Sequence, residues 1–123
     1  MSVNVQFKRV SPMLGVSDME KTLAFYTTVL LFDIAMQSPG YSIVEKNGAS
    51  VHFSLVQDET ILKGLRGHTE IYIEVEGIDA LWEHVAQFKG QYRIRDLFTQ
   101  SYGMREFHID DPNECLVFVG QRA

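Results

Sequence analysis

Met13-Leu14-Gly15-Val16-Ser17-Asp18-Met19 and, 59 positions later, Tyr72-Ile73-Glu74-Val75-Glu76-Gly77-Ile78 carry the same instruction: an apolar-alternating strand that runs into a helix. Val16 then falls on Val75, Met19 on Ile78, Leu23 on Trp82 and Tyr26 on Val85. A second stretch repeats as well. Asn47-Gly48-Ala49-Ser50-Val51-His52-Phe53 matches Asn113-Glu114-Cys115-Leu116-Val117-Phe118-Val119 at an offset of 66. Tandem half-domains of this kind predict a pseudo-symmetric cup with a site between the halves.

The 123 residues predict a single domain over 1–123, with one half at about 5–60 and the other at about 68–121. A chain of this length buries roughly two-thirds of its unfolded surface. A hydrophobic content of 46% and a charge content of 22% argue against disorder. The net charge of −5 supplies no basic stripe for phosphate, so a nucleic-acid partner is not expected. A neutral or cationic small molecule suits that balance better. The lone Cys115 excludes an internal disulfide and fits a reducing cytosol. The first residues, Met1 to Arg9, contain no apolar run of signal-peptide length, and no stretch is long enough to span a bilayer. A cytoplasmic protein with no membrane partner is the expectation.

Residues 5–16 read as the first strand, with Pro12 marking an edge or a change of partner because it lacks a ladder donor. Ser17 and Glu20 read as a capping box, followed by a buried stripe of Met19, Leu23, Tyr26 and Leu30. Strands follow at 32–37, 41–45 and 49–56, with turns at Pro39-Gly40 and Asn47-Gly48. Residues 57–68 show no clear period and read as a connection. In 69–75, Ile71, Ile73 and Val75 alternate with Glu70, Tyr72 and Glu74. Ile78, Leu81, Trp82, Val85 and Phe88 form the second helix stripe, and strands at 92–99, 103–110 and 115–120 complete the half. The order is βαβββ twice. It predicts an α+β fold in which the two modules make a curved, cup-like mixed sheet with helices on the outer face.

With these pieces in order, the chain resembles the vicinal oxygen chelate proteins, which include glyoxalase I, extradiol dioxygenases and bleomycin resistance proteins. The resemblance rests on Pro12-Met13-Leu14, Asp18, Leu23-Ala24-Phe25-Tyr26, Ile71 to Val75 and Gly77 to Leu81. Tyr102-Gly103-Met104-Arg105-Glu106-Phe107 and Asp110-Asp111-Pro112-Asn113 extend it and are most similar to the bleomycin-resistance branch. Two glycines usual in the family are replaced by Leu31 and Glu114, which predicts locally altered turns.

The resemblance implies a divalent-metal site whose four ligand positions fall on Ser11, His52, Glu70 and Phe118. These also pair by the repeat offsets, 11 with 70 and 52 with 118. Phe118 cannot ligate and a serine hydroxyl is a poor ligand, so fewer than three good donors remain and no metal or other cofactor is expected. His108 shares a strand face with Glu106 and could join His52 and Glu70 in a triad; a merely polar wall is the simpler reading. His68 lies in a loop and His84 on the outer side of the second helix. Cys115 sits with Val117 and Val119 and reads as a buried hydrophobe, while Tyr26 and Trp82 read as packing residues.

A cup with rings and carboxylates suits a planar cation. The candidate lining residues are Phe32, Tyr41, His52, Glu70, Tyr72 and Tyr102. The resemblance implies a homodimer that sequesters a cationic, partly aromatic antibiotic such as a bleomycin-type glycopeptide, with Pro12 permitting exchange of N-terminal strands. The alternative is a divergent enzyme of lyase or dioxygenase type acting on a small oxygenated substrate, with Glu70 or His52 as general base. No catalytic residue is assigned beyond that alternative.

Overall fold

Apolar side chains recur at every second position of the strands and on one stripe of each long helix, and together they make one core. The computed structural model describes residues 2–123. The first half contains β1 (Met13–Val16), α1 (Met19–Ala24, extended by a π turn over Phe25–Val29), β2 (Asp33–Met36), β3 (Tyr41–Lys46) and β4 (Ala49–Leu55). A linking helix, α2 (Glu59–Leu65), leads to β5 (Glu70–Glu74) and α3 (Ile78–Val85, with a 3-10 turn over Ala86–Phe88). β6 (Ile94–Thr99), β7 (Met104–Asp110) and β8 (Leu116–Arg122) follow. The fold is α+β, as expected from the doubled βαβββ order.

The strands form two four-stranded mixed sheets, ordered β1-β4-β3-β2 and β5-β8-β7-β6. Met13 stands beside His52 in the first parallel pair, and Tyr72 beside Phe118 in the second. The offsets of 59 and 66 are thus joined by one cross-strand contact made twice. Phe53 and Val44 in one sheet, and Phe107, Ile109, Val117 and Val119 in the other, turn inward onto Leu23, Tyr26, Ile78 and Val85 of the helices.

Polar bonds tie the halves together. The buried Tyr26 hydroxyl donates to Asp111 Oδ2 at 2.7 Å, Asn113 Nδ2 to Thr22 Oγ1 at 3.0 Å, and the Ser17 N–H to Asn113 Oδ1 at 3.1 Å. Burial raises the Tyr26 phenol well above its ordinary value, and the adjacent Asp111 carboxylate adds to this. His84 Nε2 donates to the Thr28 carbonyl at 2.7 Å, so this half-buried ring joins the two halves rather than facing solvent alone. Trp82 lies 5.3 Å from Phe107, ring centre to ring centre. Cys115 is buried, and burial pushes its thiol up to about 12.

Several expectations are corrected. Of residues 5–16 only Met13–Val16 form a strand; residues 5–10 are exposed and carry no regular structure, while Ser11 and Pro12 are half-buried and the Pro12 carbonyl accepts from the His52 N–H at 2.9 Å. Asp18, not Ser17, caps α1, its carboxylate accepting from the Lys21 N–H at 2.9 Å. The supposed connection at 57–68 contains α2, capped by Asp58 and anchored by the buried Leu62. Leu31 and Glu114 do not alter their turns: they hold the left-handed conformation that glycine would take, at φ 64° and 58°.

Candidate functional site

On each sheet the side chains facing away from the core form an open face. Strand alternation turns Ile71, Ile73, Phe107, Ile109, Val117 and Val119 toward the core and leaves Glu70, Tyr72, Glu74, Glu106, His108 and Phe118 on the other face. One cross-strand row reads Tyr72, Phe118, His108, Arg95. Tyr72 and Phe118 stack at 6.0 Å and 23°, and His108 lies 4.0 Å from Phe118. Tyr102, His108 and Phe118 line a cavity of about 690 Å³ together with Arg93, Arg95 and Asp110.

The fully buried Glu106 is the hub of this face. Tyr72 donates to its Oε2 at 2.7 Å, His108 Nε2 donates to Oε1 at 2.8 Å, and Tyr102 donates to the same Oε1. Burial alone would raise the Glu106 carboxyl, but the bonds from Tyr102, His108 and Tyr72 outweigh it and hold the group below its usual range. The tyrosines respond in the opposite direction. Desolvation and the bond to Glu106 raise Tyr72, and the same bond raises Tyr102. Gly120 makes the arrangement possible: a Cβ there would stand 2.1 Å from the Tyr72 hydroxyl oxygen and 3.2 Å from Glu106 Cβ. The result is a pre-set wall of rings whose buried acid is already satisfied.

The six expected lining residues separate into groups. Tyr41 and His52 meet on the first sheet, the tyrosine oxygen 2.6 Å from Nδ1. Tyr72 and Tyr102 converge on Glu106, and Glu70 is exposed on the neighbouring row of β5. Phe32 is almost fully buried and packs edge-on against Tyr26, and it borders a separate cavity with Leu30, Leu31, Ile73 and Val119. The sequence pattern does not single out Arg93 or Arg95, and it marks Glu106 only as sharing a face with His108. Alternation around Glu106 and the tyrosine four residues earlier were the available signals.

The four implied metal positions do not fit a divalent ion. Ser11 Oγ is hydrogen-bonded to Ser50 Oγ and Phe118 has no donor atom, so His52 and Glu70 are the two good donors left, fewer than the three such a site needs. The triad of His52, Glu70 and His108 is not assembled either. His108 is committed to Glu106, and no group of three or more His, Cys, Asp or Glu among the described residues is placed to hold a metal. Among the described residues, no helix is long and apolar enough to cross a membrane.

The sequence pattern of the Glyoxalase/Bleomycin resistance protein/Dioxygenase superfamily matches residues 8–118. The chain belongs to this superfamily. Within it, a bleomycin resistance protein of Geobacillus stearothermophilus is 27% identical over 124 aligned residues, covering 90% of this chain and 94% of that one. A bleomycin-binding protein from bleomycin-producing Streptomyces verticillus, solved with copper(II)-bleomycin, superposes with a TM-score of 0.78 at 21% identity over 98% of this chain and all of that one. A glyoxalase-related enzyme from Clostridium phytofermentans superposes with a TM-score of 0.75 at 20% identity over 99% of this chain and all of that one. The superfamily fold is therefore shared by binding proteins and enzymes, and function has to be argued from the site.

Proposed function

We propose that the protein binds and thereby sequesters a cationic, partly aromatic antibiotic of the bleomycin type, without a metal or other cofactor of its own. The observation that carries this reading is the second sheet's open face, where the Tyr72–Phe118–His108 row offers flat rings and Glu70 and Glu74 leave exposed carboxylates along β5. Ring faces attract and stack on planar cations, and the carboxylates add charge-assisted hydrogen bonds. Similarity to bleomycin resistance proteins over nine-tenths of the chain supports the same reading.

The working form in this proposal is a cytoplasmic homodimer that binds neither nucleic acid nor membrane. Residues 2–12 carry no regular structure, and Val3, Val5, Phe7 and Val10 are largely exposed. An apolar arm ahead of an edge strand is the kind of segment a second copy covers, and its exchange between copies would extend β1 beyond Pro12. Light scattering should give a dimer at micromolar concentration, and removing residues 1–10 should give a monomer.

Calorimetry with bleomycin, metal-free and copper-loaded, tests the ligand. Micromolar or tighter binding that weakens with salt is expected, with Glu70→Gln losing more affinity than Glu20→Gln and Tyr102→Ala losing a few-fold. No heat and no melting shift with bleomycin or related cationic compounds overturns the proposal. One observation favours the enzyme reading instead: a buried carboxylate orients His108 at the cavity, as a carboxylate orients a general base. Under that reading His108, rather than His52 or Glu70, is the residue whose loss abolishes turnover.

A further inference from the structure

The ring row of the second sheet ends on β6 at Arg95, which stands beside His108. Arg93 lies two residues back, its carbonyl accepting from the Asp110 N–H at 3.0 Å. Both arginines line the 690 Å³ cavity, with Tyr102, His108 and Phe118. Elsewhere Arg9, Arg66 and Arg105 each hold a carboxylate, at 3.6, 2.6 and 2.8 Å, and Arg122, outside the cavity, holds none among the described residues. Arg93 and Arg95 hold none among the described residues. The buried acid of the cavity does not serve them either, because Glu106 gives both oxygens to Tyr72, Tyr102 and His108. Asp110 and Glu114 also border the cavity, so it has an acidic corner as well as a basic edge.

We propose that this basic edge is an anion subsite: Arg95, assisted by Arg93, takes the carboxylate, sulfonate or phosphate head of a ligand whose flat ring lies on His108 and Phe118. A guanidinium presents a planar fork of donors that matches an oxyanion, and an unpaired fork loses no existing partner on binding. The ring faces beside it supply an apolar seat. Of the nearby acids, Glu106 is screened by its three donors, while Asp110 and Glu114 oppose an anion from the acidic corner and the two guanidiniums must outweigh them. The ligand class is opposite in charge to the cation placed at β5, about 14 Å away across three strand spacings, and it does not rest on the antibiotic reading.

The test is calorimetry at low salt with 2-naphthoate, 2-naphthalenesulfonate and 2-naphthyl phosphate, against the neutral 2-naphthamide. The acids should bind about tenfold or more tightly than the amide, and their order identifies the preferred head. Arg95→Gln should weaken the acids by about tenfold or more and leave the amide unchanged. Arg122→Gln, outside the cavity, should change neither. Equal binding of acid and amide, an unaffected Arg95→Gln variant, or no binding of any acid overturns the proposal. Bleomycin titrated into the same variants separates the two readings: its failure to bind wild type removes the antibiotic proposal and leaves this one standing.

Discussion

The open faces of the two sheets are built on one register and carry different chemistry. In the first sheet the row through the parallel pair reads Met13, His52, Ile43, Met36; in the second it reads Tyr72, Phe118, His108, Arg95. The adjoining row differs in the same way. Tyr41 stands opposite Ser54 in one sheet, and Glu106 opposite Gly120 in the other. Each sheet fastens a histidine, but the first does so with a phenol and the second with a buried carboxylate. The inner faces diverge less: apart from the buried Ser42 beside Phe53 both are apolar, and they feed one core. Core packing holds the repeat; freedom from that packing let one open face become a polar, aromatic wall.

The largest effects should therefore come from the faces that still agree. Phe53 and Val119 are repeat partners and both are buried. Phe53→Ala should cost about 3–5 kcal/mol and Val119→Ala about 1–3 kcal/mol, from lost transfer energy and the cavity left behind. Because both halves share the core, each variant should melt in a single calorimetric transition. Two separable transitions would show the halves to be independent units.

Exchanging the residues that distinguish the open faces should have a smaller and lopsided effect. Gly120→Ser gives the second sheet the first sheet's residue. Its Cβ would meet Tyr72 at 2.1 Å and press on Glu106 Cβ at 3.2 Å, so Tyr72 must swing away and Glu106 loses a donor. A loss of about 1–3 kcal/mol is expected. The reciprocal Ser54→Gly should cost under about 1 kcal/mol, since it removes little beyond some unfolded-state restraint. Denaturant midpoints of both variants, repeated in a Tyr72→Ala background, decide it; the Gly120→Ser penalty should shrink there.

What the sequence disclosed follows the same division. Positions 14, 16, 53, 73, 75 and 119 are apolar because the core requires it, so alternation and the two offsets could be read directly. α2 was missed because seven residues with one buried side chain, Leu62, establish no period. The arm before Pro12 alternates as a strand does, but a strand needs a partner, and pattern alone does not supply one. Glu106 depends on three donors from three places and on the space left by Gly120, a coincidence that only the folded register reveals. An aromatic beside a strand start, such as Phe32, looks the same in sequence whether it packs in the core or borders a cavity; Phe32 does both.

The acid limb of stability should expose the Glu106 cluster, which the first sheet lacks. The three donors hold Glu106 low in the folded chain despite burial, so the unfolded chain protonates first. The stabilisation is present above the unfolded carboxyl value, about 4.3, and is lost as pH falls through the lower folded value. Asp111 acts in the reverse sense. Burial raises it against the bonds from Tyr26, Cys115 and Asn113, so between its ordinary and raised values stability falls as pH increases. Urea midpoints followed from neutral pH downward should show a flattened acid limb in Glu106→Gln. An unchanged limb would mean that the cluster makes no linked contribution.

A small effect of opposite sign in the two halves is expected in the turns, where the repeat partners are Gly48 and Glu114. Both take left-handed backbone, at φ 89° and 58°. The first half fills this position with the residue that meets no Cβ penalty there, while the second fills it with a glutamate that does. The Glu114 N–H still donates to the Asp111 carbonyl at 3.0 Å, so the turn is closed in spite of the penalty. A left-handed non-glycine residue costs about 1–2 kcal/mol, and glycine returns part of that as unfolded-state entropy. Glu114→Gly should therefore stabilise the chain by up to about 1 kcal/mol, and Gly48→Glu should destabilise it by about 1–2 kcal/mol. Glu114 also borders the cavity, so the glycine variant removes one acidic neighbour of Arg93 and Arg95. If Glu114→Gly instead lowers the melting temperature, the glutamate side chain contributes more to the fold than its backbone conformation costs, and the two turns are not equivalent.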